Sequence, residues 1–287
     1  MKVASKLVEL GDGPRAVALG TFDGVHLGHR RVIETLLDAG PEPTVVTFDP
    51  HPRTALGNRV DLLMSLERRL ELLAGLGVEA ALVVEFTLDV ARLEPRAFAD
   101  EFLRPIGAET VVAGEDFRFG RARQGDLTVL ESLGFATRPV PLLENVSSRR
   151  IRELVRDGDV RGAAQLLGRP VEVEGIVVTG DARGGTLGFP TANLDVRPEL
   201  LVPQNGIYAG AAGENLAAVS IGTNPHYGGS ERRVEAFLLD FEGDLYGRRL
   251  IVELWERLRD EQSFVSEQAL IDQIARDVER TRAATRP

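Results

Sequence analysis

Cysteine is absent from the 287 residues. Disulfides, thiolate nucleophiles, thiolate-bound zinc and cysteine-ligated iron–sulfur clusters are excluded together. Lysine is nearly absent: Lys2 and Lys6 are the only two, so arginine carries the positive charge. A phosphate loop of the Gly-Lys-Ser/Thr type has no lysine to use, and a Schiff-base lysine is not expected. Phosphate must be held by arginine, backbone N–H groups, helix N-termini, histidine or metal. No run approaches the ~18 consecutive apolar residues of a membrane span. The segment MKVASKLVELGDG lacks the apolar stretch of a signal peptide, so a cytoplasmic address is expected. An excess of basic charge is missing too. The formal net charge of −10 argues against a nucleic-acid partner, although a small basic or metal-lined pocket for a nucleotide is compatible with it.

What is present is ordinary globular material, 43% hydrophobic and 27% charged, enough for a core in each of two domains. Residues 15–20, 44–48, 80–85 and 110–113 read as buried strands. Helical patterns lie between them, such as 65–73 with Leu66, Leu70 and Leu73 on one face. Strands alternating with helices predict a parallel sheet with right-handed crossovers. Residues 148–157 and 160–167 read as two closing helices capped by Ser148 and Asp159. Beyond Gly168-Arg169-Pro170 strands follow one another at 171–179, 207–212, 216–221, 234–241 and 249–258, which predicts an antiparallel barrel or sandwich. A last helix has Leu270, Ile271, Ile274 and Val278 on one face and Ser266 as its cap. The predicted boundary gives domains 1–168 and 169–287, which are expected to act independently.

The segment ALGTFDGVHLGHR (18–30) runs from an apolar strand through a glycine-bearing turn into a helix. His26 and His29, three apart, share the first helical turn, where a helix N-terminus favours anions. Gly24 and Gly28 let a phosphate approach the backbone. Such a cradle can bind a triphosphate and stabilise charge developing at the α-phosphorus without a protein nucleophile. The bare spacing also fits a metal site or two surface residues, although four histidines and no cysteine make a metal centre a poor fit.

The second half carries GDARGGTLGFPTANL (180–194). Its glycines suit a loop that wraps phosphates with backbone amides. Thr191 and Asn193 are two apart and face the same side of an extended chain. A hydroxyl and an amide oxygen suit Mg²⁺, which commonly bridges substrate phosphates. Glu235 stands in the apolar stretch VEAFLL, where a carboxylate is unexpected. Partial burial would tune it as a general base; the alternative is a solvent-facing residue on an alternating strand.

These segments resemble, in order, those of the prokaryotic bifunctional riboflavin kinase/FAD synthetases. GTFDGVHLGH (20–29), TFDPHPR (47–53), AGEDFRFGRARQGD (113–126) and SSRRIRELVRDGDVRGAAQLLGRP (147–170) are similar to the nucleotidyltransferase module. GFPTANL (188–194), NGIYAG (205–210), SIGTNPHYGG (220–229) and VEAFLLDFEGDLYG (234–247) are similar to the kinase module. The resemblance implies a Rossmann-like parallel-sheet FMN adenylyltransferase domain, then a small antiparallel β-barrel kinase domain ending in a helix. It implies that His26 and His29 act on ATP phosphates in adenylyl transfer, within an ATP-binding turn of Gly20, Phe22, Asp23, Gly24 and Gly28. Ser148 and Arg152 are implied to hold ATP phosphates, and Asp116, Phe117 and Arg118 to build the nucleotide and flavin site. In the kinase, Arg183 and Gly188 are implied to bind ATP, Thr191 and Asn193 to bind Mg²⁺ with ATP, and Glu235 to take the proton of the ribityl 5′-hydroxyl. Riboflavin, FMN, FAD and ATP are the implied partners, with no nucleic acid or membrane and with self-association open.

Five positions depart from the family's usual pattern. Arg149 replaces the threonine of Ser-Ser-Thr, Asn145 and Gly185 replace basic residues, and His226-Tyr227 replaces Thr-Phe. Either Arg149 supplies the charge that Asn145 lacks, or adenylyl transfer is weakened. Loss of the flap's charge at Gly185 would weaken ATP binding to the kinase. Two rival readings follow: a kinase with impaired adenylyl transfer, and a non-catalytic flavin- or nucleotide-binding module. His51, between two prolines, is either a rigid turn residue or a substrate contact.

Overall fold

The short aliphatic runs of the first half form one parallel sheet. In the computed structural model, which describes residues 1–179, 189–223 and 232–287, its strands are β1 (Lys2–Ala4), β2 (Arg15–Leu19), β3 (Thr44–Asp49), β4 (Ala80–Glu85), β5 (Ala108–Gly114) and β6 (Ala136–Val140). They lie in the order β1-β4-β3-β2-β5-β6, and every neighbouring pair is parallel. Strand β2 is buried along its whole length, as a strand covered on both faces should be. Val17, Leu19, Val46, Phe48 and Val111 pack on one face with Phe98, Leu103 and Leu130. Ala16, Ala18, Val45 and Val112 pack on the other with Val32, Ile33, Leu36 and Leu73. The helices of this half are α1 (Leu27–Leu37), α2 (Pro52–Ala55), α3 (Leu66–Gly75), α4 (Leu88–Arg92), α5 (Pro95–Phe98) and α6 (Leu127–Ser132).

Strands β1 and β6 lie outside the sequence expectation. Both are edge strands, and β6 contains Pro139, which cannot donate to a ladder and is tolerated at an edge. Helix α3 was expected to bury Leu66, Leu70 and Leu73. Leu73 is buried, but Leu66 and Leu70 are half-buried and the other buried position is Arg69. Ser65 caps this helix, accepting from Arg68 N at 3.0 Å.

The chain divides into two compact units, Met1–Ser147 and Ser148–Pro287. The second begins with α7 (Ser148–Arg156) and α8 (Val160–Leu167). Its strands are β7 (Val171–Val178), β8 (Ala192–Asp195), β9 (Gly206–Ala212), β10 (Asn215–Thr223), β11 (Arg232–Leu238) and β12 (Arg249–Arg259). They close an antiparallel barrel in the order β10-β11-β8-β7-β12-β9. Ala217, Val219, Ile221, Val234, Ala236, Val252 and Leu254 are among its buried residues. Strand β11 stops at Leu238 rather than at 241, because Asp240 takes a left-handed φ of 56° and turns the chain. Asp159 caps α8 as expected, accepting from Gly162 N at 2.8 Å. Ser148, the expected cap of α7, is the first residue of that helix.

The last helix, α9 (Glu267–Ala283), has Ser266 as its cap. Its expected apolar face is only half-buried, and its buried residues are Asp277 and Thr281. Asp277 accepts from Arg259 Nε at 3.0 Å and from Nη2 at 2.6 Å, so a charged pair ties α9 to β12.

Helix α8 packs on β7 and β12 and buries Val160, Ala163, Ala164 and Leu167. Each buried large aliphatic contributes about 1.5–3 kcal/mol, against a total stability of about 5–15 kcal/mol for a domain. A fragment of residues 148–287 is therefore expected to melt cooperatively, and one of 169–287 at least about 10 °C lower. Equal melting temperatures by circular dichroism would show that α7 and α8 add nothing to the barrel's stability.

Candidate active sites

The strand order places the first candidate site at a topological switch point. Strand β2 has β3 on one side and β5 on the other, and connections leaving its carboxyl end and that of β5 part there, which is where open α/β sheets bind ligands. The turn 20–26 between β2 and α1 lies at that end. The segments that follow β3 (PHPR, 50–53) and β5 (EDFR, 115–118) leave the same edge of the sheet. Gly20, Phe22, Asp23, Gly24, His26, Gly28 and His29 thus belong to one strand–turn–helix unit, as the sequence predicts.

His26 is the N-cap of α1, and its Nδ1 accepts from the His29 backbone N–H at 3.2 Å. A nitrogen that accepts a hydrogen bond carries no proton, so the proton of His26 is on Nε2. The two imidazoles stack with centroids 3.6 Å apart and planes 13° from parallel. Phe22 meets His29 edge-on at 5.3 Å. A Cβ on Gly28 would lie 3.2 Å from the His26 ring, and one on Gly20 would lie 3.1 Å from the Phe22 ring. These two glycines therefore let the turn's own rings pack against the backbone. Asp23 is fully buried and accepts from Leu63 N at 3.0 Å. Among the described residues no group of three or more His, Asp or Glu side chains is placed to hold a metal ion.

Asp116, Phe117 and Arg118 follow β5. Asp116 and Arg118 are exposed, while half-buried Phe117 stacks on Phe119 with centroids 5.8 Å apart. Arg118 donates to the Phe117 carbonyl at 2.8 Å. His51 caps α2, accepting from Arg53 N at 3.2 Å, which accounts for its place in the turn. Ser148 and Arg152 lie on α7 in the second compact unit, and Arg152 is buried. Arg149 donates to Glu153 at 3.2 Å, and hydrogen bonds from Arg149 and Arg150 hold the Glu153 carboxyl below its ordinary value. Asn145 has a left-handed φ of 60°.

The second candidate site is a row across neighbouring barrel strands. Asn193 on β8 lies directly opposite Glu235 on β11, and Glu235 lies opposite Ser220 on β10. Val234, Ala236 and Leu238 are buried, so the alternating Glu235 occupies the other, half-buried face of β11. Thr191 Oγ1 lies 3.5 Å from Glu235 Oε2, at the limit of a hydrogen bond. Phe189 meets Phe237 edge-on at 5.4 Å. Thr191 and Asn193 are thus brought together with Glu235, which lies 44 residues beyond Thr191 in sequence. Ser220 is an addition to the expected set; only strand pairing reveals it. Arg183, Gly185, Gly188, His226 and Tyr227 lie outside the described residues.

Residues 11–151 match the FAD synthetase family and residues 167–285 the riboflavin kinase family. The bifunctional riboflavin kinase/FMN adenylyltransferase of Listeria monocytogenes is 37% identical, with 96% of this chain and 94% of that protein covered. The protein of the same description from Escherichia coli K12 is 35% identical, with 96% of each covered. A solved Streptococcus pneumoniae chain described as a macrolide-efflux protein superposes with a TM-score of 0.87 at 31% identity over 98% of each chain. Among the described residues here, no helix is long and apolar enough to cross a membrane. Two family matches in chain order and near full-length relatives agree: the chain belongs to the bifunctional riboflavin kinase/FMN adenylyltransferase family.

Proposed function

We propose that this chain makes FMN from riboflavin and FAD from FMN, using one ATP at each of two separate sites. The observation that carries the reading is that each compact unit holds its own set of reactive groups: the stacked histidines of the β2–α1 turn, and the Thr191–Asn193–Glu235 row of the barrel. We place the functional boundary at residues 168–170, close to where the riboflavin kinase match begins.

In the kinase, the ribityl 5′-oxygen attacks the γ-phosphorus, the bond to the β-phosphate oxygen breaks, and ADP leaves. Glu235 takes the hydroxyl proton. The donor set fits Mg²⁺: Thr191 and Asn193 offer hard oxygens beside a carboxylate. When bound there with ATP, the ion neutralises phosphate charge. Thr191 and Asn193 orient the nucleotide, and Arg183 and Gly188 of the glycine-rich segment contribute to its binding. In the other unit, an FMN phosphate oxygen attacks the α-phosphorus of a second ATP and pyrophosphate leaves. His26 and His29 stabilise the charge that develops on the phosphates, aided by the N–H groups of the α1 terminus. Asp116, Phe117 and Arg118, which follow β5 in the same unit, border the flavin. The same reading places the enzyme in the cytoplasm, without nucleic-acid or membrane partners and with self-association open.

A second reading, a kinase with weakened adenylyl transfer, is favoured by one observation: Arg149 is engaged by Glu153, which leaves its charge less able to replace the base missing at Asn145. Incubation with riboflavin and Mg-ATP, followed by chromatography, separates the possibilities. FAD supports the two-step reading, FMN alone supports the second, and neither product overturns both.

A further inference from the structure

Arg69 is a guanidinium on α3 with only 1% of its surface exposed. Nothing in the proposed chemistry uses it, and a buried charge is retained at a cost. Burial pulls its pKa below the ordinary value, and the negative charges of Asp23 and Asp49 oppose that shift. Its Nη1 donates to Thr47 Oγ1 at 3.1 Å and to the Phe48 carbonyl at 3.2 Å. Thr47, fully buried at the carboxyl end of β3, donates in turn to the Thr21 carbonyl at 3.3 Å. One hydroxyl thus accepts from the arginine and donates to the turn, as its chemistry allows.

The turn that receives this bond needs holding. Phe22 and Val25 are not glycines, yet they have φ values of 49° and 39°. Such residues persist only where their surroundings over-determine the backbone. Three tethers do so here: Gly20 N to Val46 O at 3.2 Å, Thr47 to Thr21, and Leu63 N to Asp23. The turn ends on His26, whose ring lies against His29.

We infer that Arg69 and Thr47 are positioning residues for adenylyl transfer, the guanidinium setting the Thr47 hydroxyl so that it fixes the Thr21 carbonyl and the strained turn carrying His26. The inference rests on the reading of that turn as the adenylyl-transfer site. It differs from a purely structural role, in which Arg69 and Thr47 only satisfy one another.

Thr44 supplies the control. It is also fully buried on β3, at the opposite end, and its hydroxyl donates to the Glu42 carbonyl at 2.7 Å. Thr44→Val removes one buried hydroxyl bond and Thr47→Val removes two, so both are expected to lower the melting temperature, Thr47→Val by more. Only Thr47→Val should lower kcat for FAD formation from supplied FMN and ATP, by about 10-fold or more, because small misplacements of reacting groups are costly in rate. Thr47→Ser should restore kcat to within about 3-fold, and riboflavin phosphorylation should be unchanged in all three. The inference falls if Thr47→Val keeps wild-type kcat, if Thr44→Val loses as much, or if serine does not rescue. His29→Ala, measured alongside, isolates the underlying site reading. If it retains full FAD formation, that reading is wrong and this inference goes with it. If it is inactive while Thr47→Val is normal, only the positioning inference is lost.

Discussion

His29→Ala is expected to lower FAD formation by roughly 10²–10³-fold, the usual cost of removing a preorganised group that stabilises transition-state charge. FMN formation should continue at the wild-type rate. His29 lies in the first turn of α1, stacked on His26 and edge-on to Phe22, at the carboxyl end of the sheet where β2 parts from β5. All of these residues belong to Met1–Ser147, whereas the Thr191–Asn193–Glu235 row belongs to Ser148–Pro287. His29 is also a cleaner probe than His26. The His26 side chain caps α1, and losing such a cap costs about 1 kcal/mol in addition to any loss of catalysis. Separate assays of riboflavin phosphorylation and of FAD formation from supplied FMN check the result. Equal loss of both activities, or undiminished FAD formation, would remove His29 from its assigned role.

The second large effect is expected at Glu235. Glutamine keeps the volume and much of the polarity but cannot accept the ribityl proton, so Glu235→Gln should lower the kinase kcat by roughly 10²–10⁴-fold. Affinities for riboflavin and ATP should change little, and adenylyl transfer from supplied FMN should survive. Asn193, directly opposite Glu235 on β8, is assigned to the nucleotide and its metal, so Asn193→Ala should weaken Mg-ATP binding instead. Single-turnover kinetics and calorimetric binding on both variants separate the two roles. Near-normal turnover by Glu235→Gln would leave Glu235 as an ordinary residue on the outer face of an alternating strand. That outcome is physically accessible, because a loose phosphoryl-transfer transition state needs little deprotonation of its nucleophile.

Local signals in the sequence carried the parts of the fold that local physics decides. Apolar runs marked β2 to β5, and side-chain oxygens at Asp159 and Ser266 marked two helix starts. Chain periodicity could not reveal what depends on distant partners. Edge strands β1 and β6 have weak apolar patterns because their pairing partner lies on one side only. Arg69 looks like a solvated position in a charged stretch, and it is buried because Thr47 and the Phe48 carbonyl accept from it. In the same way, the half-buried apolar face of α9 gave no hint that Asp277 and Arg259 would dock the helix. At the sites, the motif spacing placed His26 with His29 and Thr191 with Asn193. The pairing of Glu235 with both Asn193 and Ser220 is a property of barrel register between strands that are not contiguous in the chain.

Two separate ATP-using sites are tested most directly by following the phosphorus atoms. Riboflavin is incubated with Mg-ATP labelled at either the α- or the γ-phosphorus, and FMN and FAD are separated and counted. The γ-label is expected in the phosphate of FMN and to be carried into FAD. The α-label is expected in FAD alone, with His29→Ala removing only the α-label from flavin and Glu235→Gln removing both labels, the α-label returning when FMN is supplied. Label from the α-phosphorus in FMN, or FAD formed without any α-label, would contradict synthesis by phosphoryl transfer at one site and adenylyl transfer at another.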